Sequence, residues 1–154
     1  MSKFEELSIR NDHINIIETD MLPKFQDGCY INGEIYINKN LNDEQKAEVL
    51  HEELAHHKLT YGNITDQSIF NNRKFEGYAR RQAYEWSLPL QKIIDAYISG
   101  VNSLYELAEF TQLSESYVDV VLDYYKQKHG LSTWCGNYLI QFEPLHVYKY
   151  KNIK

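Results

Sequence analysis

The sequence predicts an α+β protein, and three observations carry that reading. Two short β-prone runs flank Asn32-Gly33, capping residues and apolar spacing mark a long helix after Asn42, and helical patterning fills most of the chain beyond it. The chain has 154 residues, enough for one domain or for one compact domain with an appendage. Apolar residues make up 43% and charged residues 25%, an ordinary balance for a chain that buries a core. The formal charge of −6 works against phosphate backbones, so nucleic acid is disfavoured as a partner. Cys29 and Cys135 stand far apart, with no zinc or disulfide spacing. No apolar run is long enough to cross a bilayer, and the N-terminus has no signal-like apolar core. The expectation is a reduced, cytoplasmic protein without a membrane partner. The 13 tyrosines are scattered and read as core edge and groove lining rather than a stacking platform.

The first 20 residues mix helix and strand signals. After Pro23, residues 28–37 read as a hairpin, because Asn32-Gly33 tolerates the positive φ angles of a type I′ turn. Asn42 with Gln45 three residues on has the form of a capping box, opening a helix from about Asp43 to Leu59 that stops near Gly62. Residues 61–72 read as a loop. A second long helix runs from about Arg73 to Ser87, stopped by Pro89, and Leu90–Ser99 forms a short helix ending at Gly100. Ser103 and Ser114 cap two further helices joined by a tight turn, in the manner of a helix-turn-helix. The stretch Tyr105–Tyr125 holds five acidic residues and no Lys or Arg, so this pair suits packing or substrate recognition rather than DNA. The aromatic run ending in Tyr138–Phe142 adds an edge strand.

The chemistry concentrates in Leu50-His51-Glu52-Glu53-Leu54-Ala55-His56-His57. At about 100° per residue, with Glu52 at zero, His56 falls at ~40° and Glu53 at ~100°. Leu50, Leu54 and Ala47 fall between ~160° and ~220°, an apolar back that suits a sheet. His57 lies at the border near ~140° and His51 far off near ~260°. Catalytic zinc takes three protein ligands and leaves one position open. Glu52 and His56 at i and i+4 supply two donors, and Glu53 is placed to take a proton from the attacking water. The plain alternative also stands: Glu48, Glu52 and His56 have the i, i+4, i+8 spacing of many solvated helix faces.

Four segments, GCYINGEIYIN, VLHEELAHHKLTYGNITDQS, FEGYARRQAYEWSLP and YELAEFTQLSESYVDVVLDYY, resemble the ImmA/IrrE-type metallo-endopeptidases of bacteria, phages and mobile elements. That family carries a hairpin, a His-Glu-x-x-His helix and a following helix with Glu-x-x-Ala and Leu-x-Pro; Glu76-Gly77-Tyr78-Ala79 matches the first of these, and Leu88-Pro89 resembles the second without its intervening residue. The resemblance implies a zincin-like minimal metalloprotease core over residues 1–100, a small antiparallel sheet and hairpin packed on the motif helix. A helix-turn-helix-like region with an aromatic tail follows over 101–154. It implies Glu53 as general base, His56 as zinc ligand and Glu76 as third ligand. The bland role of Glu76 is a surface pair with Arg80 at i+4.

The match breaks at Glu52, which stands where the family's first histidine ligand falls. Glu52 binds the metal through its carboxylate, giving an oxygen-rich Glu/His/Glu site that also suits manganese; or His51 or His57 takes the place, against the helical phase; or the metal site is lost. His51, His57 and Tyr78 are therefore auxiliary candidates, and Tyr61, Tyr78 and Tyr84 are candidates for steadying an oxyanion. The resemblance implies a protein substrate, a helix-turn-helix repressor of a phage or mobile element. The alternative is a regulatory protein that binds such a repressor without cutting it.

Overall fold

The computed structural model describes residues 1–60 and 69–150. Their order is α1 (Lys3–Arg10), β1 (Ile16–Thr19), β2 (Gly28–Ile31), β3 (Glu34–Asn38), α2 (Asp43–Thr60), α3 (Ile69–Ser87), α4 (Leu90–Ile98), α5 (Leu104–Thr111), α6 (Glu115–His129), β4 (Ser132–Cys135), β5 (Tyr138–Phe142) and β6 (Leu145–Lys149). The chain divides into two compact units, Met1–Ser87 and Leu88–Lys154. The division falls at the Leu88-Pro89 stop rather than at Gly100, so α4 belongs to the second unit.

In the first unit the hairpin forms as its turn chemistry dictates: Asn32 and Gly33 both take positive φ, 51° and 80°. The sheet runs β1-β3-β2. It is mixed rather than antiparallel, because β1 pairs parallel with β3, Ile16 opposite Ile35, while β2 pairs antiparallel with it. The ambiguous first 20 residues thus supply both α1 and an edge strand. Ser2 closes a capping box on Glu5 at the start of α1. Ile35 and Ile37 are fully buried on the sheet face that meets Ala47, Leu50 and Leu54 of α2, and Phe4 and Leu7 of α1 close the same core. The apolar back expected of α2 therefore packs on the sheet. Gln45 N–H donates to Asn42 Oδ1 at 2.8 Å and Asn42 N–H to Gln45 Oε1 at 3.2 Å, the reciprocal cap read from the sequence.

Helix α3 begins at Ile69, earlier than expected, and residues 61–68, expected as loop, lie outside the described residues. Ala55 of α2 is buried with Ala79 and Ala83 of α3, with Leu59 against them. Small side chains at these positions let the two helix axes come close, which sets their polar faces side by side.

In the second unit, Ser103 and Ser114 cap α5 and α6 through Glu106 N–H and Tyr117 N–H. Tyr125 is buried, donates its hydroxyl to the Leu88 carbonyl at 2.8 Å and stacks on Phe142 at 5.8 Å. The tail does not add an edge strand to the first sheet. It forms its own antiparallel sheet, β4-β5-β6, because Ile140, Phe142 and Val147 give it a buried inner face. On the outer face Trp134, Leu139 and Tyr148 lie opposite one another, and Trp134 meets the Tyr150 ring edge-on at 6.0 Å. These aromatics are gathered by strand register, which residue spacing alone did not reveal.

Candidate metal centre

Helices α2 and α3 bring together what the sequence keeps apart. Glu52, His56 and Glu76 each offer a ligand atom, and those atoms lie within 4.8 Å of one another. His56 Nε2 is 3.1 Å from Glu76 Oε2. Donors bound at about 2.0–2.2 Å around a tetrahedral ion are roughly 3.3–3.6 Å apart. The His56–Glu76 pair is slightly tighter than that, at hydrogen-bond distance, and atoms within 4.8 Å of one another need shifts of about an ångström to reach the spacing. The donor set, one imidazole and two carboxylates, fits a divalent ion in type as well.

Glu53 lies one residue on and is 7% exposed. Burial pushes its carboxyl up to about 8, and the charges of Glu52 and Glu76 push the same way. Three carboxylates thus converge with too little positive charge between them. The four residues line a cleft of about 730 Å3 together with Gly28, Cys29 and Tyr30 of β2, and with Phe75 and Arg80 of α3. Strand β2 is an edge of its sheet, so its outer backbone groups face no strand partner among the described residues. Burial and the Glu53 charge raise the Cys29 thiol, which keeps it protonated at neutral pH.

Gly28 explains how the strand comes so near the helix. A Cβ there would overlap Val49 Cγ1 and stand 3.4 Å from Glu53 Cγ. Gly28→Ala is accordingly expected to destabilise the first unit by about 1–3 kcal/mol, the range for overpacking. A urea unfolding curve that superposes on that of the parent would contradict this.

The auxiliary candidates lie elsewhere. His51 is buried, and its Nε2 has no hydrogen-bond partner among the described residues. Burial, then the Lys3 charge, hold it down to about 3. His57 Nδ1 is 2.9 Å from the Tyr30 hydroxyl, and its ring stands edge-on to His13. Neither histidine joins the Glu52–His56–Glu76 group, as the helical phase of α2 requires. Tyr78 is half exposed and does not line the cleft. Tyr84 is partly buried, and the charges of Arg80 and Glu52 both act on it; Tyr61 lies outside the described residues. The sequence reading missed Arg80, whose Nε is 3.7 Å from Glu52 Oε1. Glu76 and Arg80 repeat on α3 the i, i+4 spacing of Glu52 and His56 on α2, but that spacing pairs Arg80 with Glu76 and does not point to Glu52 on the facing helix.

A short sheet laid on a helix that carries adjacent glutamates and a histidine, with a carboxylate from the next helix, is the core of a zincin-like hydrolase. Residues 11–123 match peptidase family M78, described as the IrrE N-terminal-like domain, and the chain belongs to that metallopeptidase family. No curated protein and no solved structure matches the chain.

Proposed function

We propose that the chain is a zinc-dependent endopeptidase, with manganese as the second metal the oxygen-rich site admits, and that it cuts a helix-turn-helix repressor of a phage or mobile element in the cytoplasm. The observation that carries this reading is the Glu52, His56 and Glu76 cluster beside buried Glu53, all four lining one cleft. Glu52, His56 and Glu76 would hold the ion, which would supply Lewis-acid polarisation of the scissile carbonyl and a lowered pKa for the attacking water. Glu53 takes the proton of that water and hands it to the leaving amine. Its buried position keeps the carboxylate poorly hydrated and therefore basic, and neutralisation of Glu52 and Glu76 by an ion removes the two charges that push it up further. The substrate backbone lies along the open edge of β2 as an added strand, its amides paired to the strand and its scissile bond over His56.

The test is incubation with purified helix-turn-helix repressors encoded beside the gene. Cleavage that stops with a chelator and returns with zinc supports the reading. Tight binding of a repressor without any cleavage, in the presence of zinc or manganese, supports a non-catalytic regulatory protein instead.

A further inference from the structure

Among the described residues that line the cleft, Arg80 is the one permanent cation. Glu52 and His56 stand four residues apart on α2, and Glu76 and Arg80 four apart on α3. The contacts run across the helices, His56 to Glu76 at 3.1 Å and Glu52 to Arg80 at 3.7 Å. Arg80 is thus turned to Glu52, the residue that departs from the family's usual ligand. At 3.7 Å the contact is too long for a hydrogen bond. The guanidinium lends its charge to Glu52 without occupying the carboxylate lone pairs that an ion needs.

We propose that Arg80 is the charge partner of Glu52, restoring to the centre the positive charge that a glutamate in the first ligand position takes away. This rests on Glu52, His56 and Glu76 holding a divalent ion. Two histidines and one glutamate around a dication leave one formal positive charge. One histidine and two glutamates leave none, and Arg80 brings the total back to one. A centre that must draw electrons from a carbonyl and face a developing oxyanion works better with that charge than without it. An arginine is suited to the task, because it stays charged at every pH the protein meets.

The pair is expected to be exchangeable. Azide, a monoanion that reports the positive charge at an open metal position, is titrated into the cobalt-loaded chain and read from the visible spectrum, with cobalt and zinc affinities measured alongside. Arg80→Gln is expected to weaken azide binding about tenfold, since the half-exposed guanidinium is screened by solvent. Metal affinity should stay the same or rise, because a repelling charge has gone. Arg80→Lys should bind azide nearly as the parent does. The double variant Glu52→His with Arg80→Gln should recover parental azide binding, because the imidazole removes a negative charge where the guanidinium's positive charge was lost. Azide affinity unchanged in Arg80→Gln overturns the proposal. So does a joint loss of azide and metal binding that Glu52→His fails to repair, which marks Arg80 as a packing residue. A parent chain that takes up neither cobalt nor zinc overturns the metal reading itself, and that outcome is visible before any azide is added.

Discussion

Glu53→Gln is expected to lower peptide cleavage by about 10²- to 10⁴-fold, the usual contribution of a general base, while zinc uptake stays near that of the parent. The amide has nearly the shape of the carboxylate, so the cleft keeps its form. What is lost is the acceptor for the proton of the attacking water. Glu53 is not needed as a ligand, because Glu52, His56 and Glu76 form the donor cluster without it. The two readouts separate the roles: substitution of a ligand should lose metal and cleavage together, substitution of Glu53 cleavage alone. Zinc stoichiometry by mass spectrometry and a single-turnover cleavage assay decide the matter. Undiminished cleavage in Glu53→Gln would contradict the assignment.

The metal-free chain is expected to show an unusual dependence of stability on pH, and the same substitution should alter it. Glu53 ionises near 4.5 when unfolded and near 8 when folded, raised first by burial. The folded state therefore holds the extra proton across that window, and stability falls as pH rises through it, by roughly 1.4 kcal/mol per unit where the difference is complete. His51 acts with the opposite sign. Its imidazole takes a proton near 6.5 when unfolded and only near 3 when folded, lowered first by burial. The unfolded state binds the proton there, so stability is lost as pH falls from 6.5 toward 3. From about 4.5 to 6.5 the two slopes oppose. The metal-free protein should thus be most stable across that interval and weaken on both sides. Glu53→Gln should remove the alkaline decline and leave the acid one, and saturating zinc should flatten the alkaline side in the parent. Urea unfolding midpoints from pH 3 to pH 9 measure this. An alkaline decline of the same slope in Glu53→Gln would assign it to other groups.

Much of the first unit was legible because its signals are local. The turn at Asn32-Gly33, the cap at Asn42 and the rotation of α2 each depend on neighbours within a few residues, and each stands in the structure as the sequence implied. The split of the 51–57 cluster was legible for the same reason. A rotation of 100° per residue already takes His51 away from the Glu52, Glu53 and His56 face and leaves His57 at its border, where the structure gives it to Tyr30, 27 residues away. What could not be read is non-local. Nothing in residues 16–19 says that they pair parallel with β3, since a parallel partner is chosen by tertiary packing and not by a turn. The separate β4-β5-β6 sheet depends on which face Ile140 and Val147 bury. Arg80 was read only against Glu76 on its own helix, because sequence spacing reveals i+4 neighbours and not the facing helix. Glu76 itself was reached through family resemblance rather than through spacing.

The proposed chemistry requires that Glu52, His56 and Glu76 together hold a metal ion. Anomalous diffraction from zinc-soaked crystals, collected on both sides of the zinc absorption edge, shows whether they do. One strong peak is expected within about 2.0–2.2 Å of a carboxylate oxygen of Glu52, an imidazole nitrogen of His56 and a carboxylate oxygen of Glu76, with Glu53 beside the peak and not bound to it. A peak held by His51 or His57, or no peak in the cleft at full zinc occupancy elsewhere, would contradict it.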